Sequence, residues 1–279
     1  MKIMDCRYRP NTVEWMNTFL NNPVYRDYVA LTQFDKKPVQ SLSACVEQLK
    51  RLGVVRAVIP GRDIESAVST PSSNALIDDC VAAFPDMFIG VYGYDPGKGM
   101  DGFRSMKRAL AEGRSAGAAI EPGMSRCPVD DPRYYPLYTL CCEYNVPVLI
   151  TAGLSPNMPG VTMAETHPLR IDKVATDYPE LRMLISHGGY PWVNETIAIC
   201  SRHRNIFMDF SSAANRPFGE LYIKVANESL TDRFVFSSMS PATEFEKSVA
   251  SIHNCGLTAE ALEKILYANA LSLFGITAD

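Results

Sequence analysis

His187 stands in the run Leu184-Ile185-Ser186-His187-Gly188-Gly189-Tyr190-Pro191-Trp192, an apolar, strand-like stretch that ends on an imidazole and two glycines. Imidazole takes or gives a proton near neutral pH, and paired glycines let the chain turn sharply and bring backbone amides close to a ligand. A lone histidine is more often structural, but one at a strand end is placed for chemistry. Near the N-terminus, Ile3-Met4-Asp5-Cys6-Arg7-Tyr8-Arg9-Pro10 carries two arginines at i and i+2. Side chains alternate along a strand, so Arg7 and Arg9 share one face. Two guanidiniums aimed at one cavity require an anion, and a substrate carboxylate held in a bidentate fork is the natural occupant. An internal salt bridge to Glu121 or Asp95 is the competing reading.

These side chains must be held by regular elements. Short apolar runs recur at Lys2–Cys6, Val54–Ile59, Phe88–Tyr92, Ala116–Ile120, Val146–Ile150, Arg182–Ile185, Ile206–Phe210 and Phe234–Phe236, and amphipathic stretches separate them. The helical stretches include Ser43–Leu52, Ser73–Phe84, Met100–Glu112, Tyr135–Tyr144, Ile171–Tyr178, Val193–Cys200 and Phe218–Glu228, followed by Glu244–Asn254 and a closing helix over Ala259–Phe274, capped by Thr258. Val- and Ile-rich strands alternating with helices mark a parallel sheet. Eight such units predict an α/β fold, a single closed (β/α)8 barrel spanning 1–279 as one domain. An open doubly wound sheet is the alternative, weakened because no Gly-x-Gly-x-x-Gly follows the first strand. The aromatic stretch from Thr12 to Lys37, with Trp15, Phe19, Tyr25, Tyr28 and Phe34, reads as a lid, a subunit contact or a satellite cluster packed on the barrel.

A barrel places its site at the C-terminal ends of its strands. The residues there are Arg7, Arg9, Arg62, Tyr94, Asp95, Glu121, Thr151, His187, Ser211, Ser212 and Met239. His187 and Glu121 are the candidate catalytic pair, dividing acid and base roles. Arg7, Arg9, Arg62, Thr151, Tyr190, Trp192 and Met239 are the candidate substrate-binding residues. His167 follows the fifth strand and has the reach to join them, whereas His203 and His253 read as solvated.

Composition narrows the partners. A net charge of −4, 47% hydrophobic and 21% charged residues describe a globular chain with no electrostatic reason to bind nucleic acid or an anionic membrane. The first residues do not form a signal peptide, and no uncharged run approaches the ~18 residues that span a bilayer. Of the eight cysteines, Cys45, Cys80, Cys141, Cys142 and Cys200 fall on apolar helix faces, and no Cys-x-x-Cys occurs. Free thiols and a cytoplasmic location are expected.

Taken together, Asp130-Asp131-Pro132-Arg133-Tyr134-Tyr135-Pro136-Leu137-Tyr138, Pro147-Val148-Leu149-Ile150, the run from Ile185 to Val193, and Ile265-Leu266-Tyr267-Ala268-Asn269-Ala270 resemble the amidohydrolase-related family that includes aminocarboxymuconate semialdehyde decarboxylase and resorcylate decarboxylase. The resemblance runs from Ile3 to Ile276. It implies a barrel of hydrolases and non-oxidative decarboxylases, often dimeric, built around a single metal ion. It also puts the ligand positions of that metal on Arg7, Arg9, Thr151 and Met239, and retains only His187, which in the family positions water or substrate. Arginine does not release a proton to ligate a metal, and methionine offers little to a hard ion, so no metal and no cofactor are expected. A lactonase for pyrone dicarboxylate is similar in working without metal, but it relies on the strand-eight aspartate that Met239 replaces; this leaves Glu121 as the partner of His187. The expected function is a metal-independent hydrolase acting on a small carboxylated lactone, ester or aromatic-derived metabolite, as a homodimer or higher homo-oligomer. The alternatives are a non-oxidative decarboxylase or other C–C lyase, a catalytically inactive carboxylate-binding relative, and a metal enzyme whose ligands have moved to Glu121, His187 and either His167 or Cys6.

Overall fold

The computed structural model describes residues 1–153, 158, 160–210 and 215–277. Eight strands follow in chain order: β1 (Ile3–Asp5), β2 (Val54–Pro60), β3 (Phe88–Gly93), β4 (Ala118–Ile120), β5 (Val148–Thr151), β6 (Met183–Ser186), β7 (Ile206–Asp209) and β8 (Phe234–Val235). Each pairs in parallel with the next. The two outer strands are drawn together where the Cys6 N–H donates to the Phe236 carbonyl at 2.9 Å. This is a nearly closed eight-stranded barrel, and the open doubly wound alternative is overturned. Each strand lies within two residues of its expected bounds, because the Val- and Ile-rich runs are buried on both faces.

The period of two sorts the strand residues into two cores. Leu149 and Leu184 point inward with Met4, Val58, Ala119 and Phe207, while Val148, Ile150, Met183 and Ile185 point outward under the helices. One step further along, the same alternation turns Glu121, Thr151, Ser186 and Asp209 inward. The apolar interior thus ends in a polar layer at the C-terminal mouth, where all four of these side chains are buried.

The closing helix departs from the expected single span. It runs as Ala259–Glu263, a wider π turn over Lys264–Ala268, and Asn269–Phe274. Such a turn shifts the helical ladder, and within it the Ile265 carbonyl accepts the Phe236 N–H at 3.0 Å. Tertiary bonding to β8 therefore overrides a regular helix. Ala270, Leu271, Leu273 and Phe274 join the inward core. Arg182, just before β6, donates to the Leu273 carbonyl at 2.7 Å, which locates this stopper at the N-terminal end of the strands. The opposite end stays open.

The aromatic stretch folds as helices Val13–Leu20 and Arg26–Thr32 with short 3-10 turns. Trp15 joins the main core, with its indole N–H on the Cys80 sulfur at 3.4 Å. Phe19, Tyr25 and Phe34 form a separate cluster with Met16, Ile64, Met124 and Met158. All eight cysteines carry free thiols.

Asn269 stitches the closing helix to β8, its amide donating to the carbonyls of Thr231 (2.8 Å) and Phe234 (2.7 Å). Replacing Asn269 by Ala leaves the Phe234 carbonyl buried without this donor and should lower the unfolding free energy by about 1–3 kcal/mol. Urea unfolding of the two proteins checks this; identical midpoints would show that the stitch carries no stability.

Candidate functional site

A cavity of about 330 Å³ opens at the C-terminal mouth of the barrel. Its polar lining includes Arg7, Arg9, Arg62, Glu121, Thr151 and His187, and its apolar walls include Phe19, Tyr28, Phe34, Met124 and Met239. A second cavity of about 490 Å³ lies beside Gly53–Val55 and Phe84–Met87. It is larger, but its lining is mainly apolar and holds none of the polar layer, so the mouth is the candidate site.

Arg7 crosses the mouth. Its Nη1 donates to Ser186 Oγ (3.1 Å) and its Nη2 to Thr151 Oγ1 (3.2 Å), which ties the end of β1 to β5 and β6. Arg9 leans the other way, donating from Nε to the Pro60 carbonyl at the end of β2 (3.1 Å). Its Nη2 is buried with no hydrogen-bond partner among the described residues. Arg62 pairs with Glu121 Oε1 at 3.4 Å, donates to the Tyr25 hydroxyl at 3.3 Å, and lies 5.0 Å from the Phe19 ring centroid. Glu121 also lies 3.9 Å from Arg7. The internal salt bridge weighed from the sequence is therefore real for Glu121, but it is shared. Asp95 takes no part: it accepts from Ser66 N and Oγ and from Gly97 N.

Charge sets the protonation states. Burial opposes the ionised form of Glu121, yet Arg62, Arg7 and Arg9 outweigh it and hold the carboxyl below its ordinary range. Burial, reinforced by Arg62 and Arg7, lowers Arg9 to about 9. Burial also pushes the His187 imidazole well below its usual 6.5, and Arg7, Arg216, Arg9 and Arg62 add to the effect. His187 is thus neutral at pH 7, and Glu121 is a carboxylate.

Two buried aspartates below the cavity hold its strand ends. Asp5 Oδ1 accepts the N–H groups of Arg7 (2.9 Å) and Ser238 (3.0 Å), joining β1 to the chain after β8. Asp209 Oδ1 accepts the His187 N–H at 2.7 Å. His187 and Met239 both line the cavity at positive φ, 60° and 59°. Non-glycine residues in this region are strained and concentrate at functional positions. Gly189 continues the turn at φ 66°, where a Cβ would meet Thr196 Oγ1 at 2.3 Å.

Of the residues singled out from the sequence, Arg7, Arg9, Arg62, Glu121, Thr151, His187, Tyr190 and Met239 line one cavity. Trp192 does not: its ring packs against His167 at 4.5 Å in a tilted arrangement, and neither residue is in the cavity lining. It stands at the N-cap of helix Val193–Arg202, without a side-chain cap bond. Tyr94 packs against Tyr134 in the outer core. His203 is bonded to Asp172 at 2.8 Å rather than solvated, and Ser211 and Ser212 lie outside the described residues. Sequence reading missed Arg216, Ser186, Asp5 and Asp209. The aspartates had one signal, a carboxylate ending an otherwise apolar strand.

A family model described as amidohydrolase matches residues 38–276. The chain belongs to the amidohydrolase family. The match begins after β1, so Arg7 and Arg9 fall outside it. No curated protein sequence matches this amidohydrolase-family chain. Among solved structures, an uncharacterized TIM-barrel protein from Bordetella bronchiseptica is 27% identical over 99% of both chains, with a TM-score of 0.83. The 2,6-dihydroxybenzoate decarboxylase from Rhizobium is 15% identical over 99% of both chains (TM-score 0.72). The dihydroxybenzoic acid decarboxylase from Polaromonas sp. JS666, solved with manganese and 2-nitroresorcinol, is 15% identical over 98% of this chain and 97% of its own (TM-score 0.73).

The residues at this mouth do not fit such a metal ion. Arg7 and Arg9 are cations, Met239 is a poor donor to a hard ion, and the Thr151 hydroxyl already accepts from Arg7. Among the described residues no three His, Cys, Asp or Glu side chains gather as a metal set, including Glu121, His187, His167 and Cys6.

The electrostatics can be tested directly. The ring protons of His187, assigned by comparison with His187→Asn, should titrate well below pH 6.5 in the ligand-free protein. Arg7→Met should move the midpoint upward by removing one repelling cation. A wild-type midpoint at 6.5 or above contradicts the charge balance described.

Proposed function

We propose that the protein is a hydrolase that works without the family metal on a small, carboxylate-bearing cyclic or aromatic ester or lactone. The observation that carries this reading is the excess of cations at the mouth, four guanidiniums of which those of Arg7 and Arg9 are buried, against one carboxylate and beside a neutral histidine. Attack on an ester carbonyl builds negative charge on oxygen, and fixed cations in a water-poor cavity stabilise it. Arg7, fixed by Thr151 and Ser186, is the group for that oxyanion; Arg9 takes the substrate carboxylate. His187 is the general base that withdraws a proton from water and returns it to the leaving oxygen. Glu121 serves as an ionised partner that keeps Arg62 and Arg7 in place rather than as an acid. Met239, Tyr190 and the aromatic stretch supply walls for a ring.

A second reading, non-oxidative decarboxylation, is favoured by the dihydroxybenzoate decarboxylases that share the fold. Charge argues against it as the first choice. A carboxylate leaving as CO₂ gives up its charge, so a guanidinium on that group stabilises the ground state and opposes the step.

Assay of carboxylated aryl esters and lactones against release of CO₂ from 2,6-dihydroxybenzoate separates the two. Hydrolysis should survive metal chelation, and His187→Asn should lower kcat by about 10²–10⁴ with substrate binding largely kept. Because the imidazole stays unprotonated to well below pH 6.5, the acid limb of kcat/KM should lie below that value as well. CO₂ release without hydrolysis, or full loss of activity on chelation restored by manganese, would overturn the hydrolase reading.

A further inference from the structure

The cavity carries more positive charge than one substrate carboxylate can neutralise. Arg62 is matched by Glu121 at 3.4 Å, and that same carboxylate stands only 3.9 Å from Arg7. Arg7 and Arg9 are 7% and 9% exposed, so water does little to screen them. Among the described lining residues no other acid is present. Arg216 lines the cavity as well, but it is exposed to water and lies 5.1 Å from the Tyr190 ring centroid, so Arg7 and Arg9 are the buried guanidiniums in excess of Glu121, and they are anchored to different strands. Arg9 is anchored to Pro60 on β2, and Arg7 to Thr151 and Ser186 on β5 and β6, across the ring of strands.

We infer that the pocket is matched to two negative charges on opposite sides of the mouth, one brought by the substrate on Arg9 and one created by the reaction against Arg7, so that the diacid product binds more tightly than the monoacid substrate. The inference rests on the hydrolase reading for the origin of the second charge, and on the charge layout alone for the preference itself. The step balances without a co-reactant other than water. Water oxygen bonds to the acyl carbon as the bond to the alkoxide oxygen breaks, and one water proton passes through His187 to that oxygen. The new carboxylic acid releases the other proton to solvent and stays as a carboxylate beside Arg7. The buried Arg9 Nη2, with no hydrogen-bond partner among the described residues, supplies the opposite anchor. The substrate class that follows is a monoanion with its ester or lactone carbonyl set across a ring from its carboxylate, and the enzyme is subject to inhibition by its own product.

Isophthalate and its monomethyl ester test this, since they share a ring and differ by one charge. Calorimetry on the wild-type protein should show isophthalate binding roughly 10- to 100-fold more tightly, the size of one charged hydrogen bond. Arg7→Met should erase that difference while leaving the affinity for the monoester nearly unchanged, and Arg9→Met should weaken both ligands alike. Equal affinities of the two ligands in the wild-type protein overturn the inference, and this comparison decides even where a variant folds poorly. Phenyl phosphate bound as tightly as isophthalate also overturns it, because both charges then sit on one group. A preference for the diacid without any ester cleavage would sink the hydrolase reading and keep the charge match; cleavage with no preference would do the reverse.

Discussion

Three guanidinium groups gathered around one carboxylate, at the end of a barrel lined with leucine, valine and phenylalanine, set the terms for everything else at this mouth. Buried like charges raise the energy of the folded state unless each finds a partner. The protein supplies partners unevenly. Arg62 has a carboxylate, a tyrosine hydroxyl and a phenylalanine face, and Arg7 has two hydroxyls. Arg9 has one carbonyl and a buried nitrogen with no acceptor among the described residues. That unevenness is what the anionic ligand proposed above would relieve.

Holding cations in place requires the strand ends to be rigid, and the hydrogen bonds below the cavity do this. Asp5 ties the Arg7 backbone to Ser238, and Asp209 holds the His187 amide in its left-handed conformation. Burial raises Asp5 to about 6 even though it accepts two backbone N–H groups, a sign of how little water reaches this layer. The Tyr222 hydroxyl donates to the Gly188 carbonyl at 2.7 Å and braces the same turn from the helix side. The stopper helix at the other end completes the arrangement by sealing the barrel, so that the mouth is its open face.

Much of this was legible in the residues. Strand periodicity located all eight strands, because burial on both faces selects Val, Ile and Leu wherever the chain passes through the barrel wall. It also brought Arg7, Arg9, Glu121, Thr151 and His187 to one mouth, since strand ends of a parallel barrel converge whatever the loops do. What pattern reading missed depends on tertiary contacts. The π turn in the closing helix accompanies a bond to Phe236, and Trp192 packs against His167 outside the cavity lining. Both are set by neighbours far away in sequence. Glu121 is the subtler case: its position was readable, but its ionised, paired state follows from the number of arginines beside it.

The metal-free reading proposed above has a chemical consequence that fits the remaining residues. A metal ion does two things in such a site: it stabilises an oxyanion and makes bound water acidic. A guanidinium does the first through directed N–H donors and cannot do the second, since it offers no ligand position to water. Proton removal must then fall to a side chain that is unprotonated at working pH. In the proposed reading that state is secured by burial and by the field of the surrounding arginines, which together drive the proton from His187. The same field makes the imidazole a weak base in the empty pocket. An arriving anion neutralises part of it and raises the basicity of His187 when substrate is present, which couples proton transfer to binding.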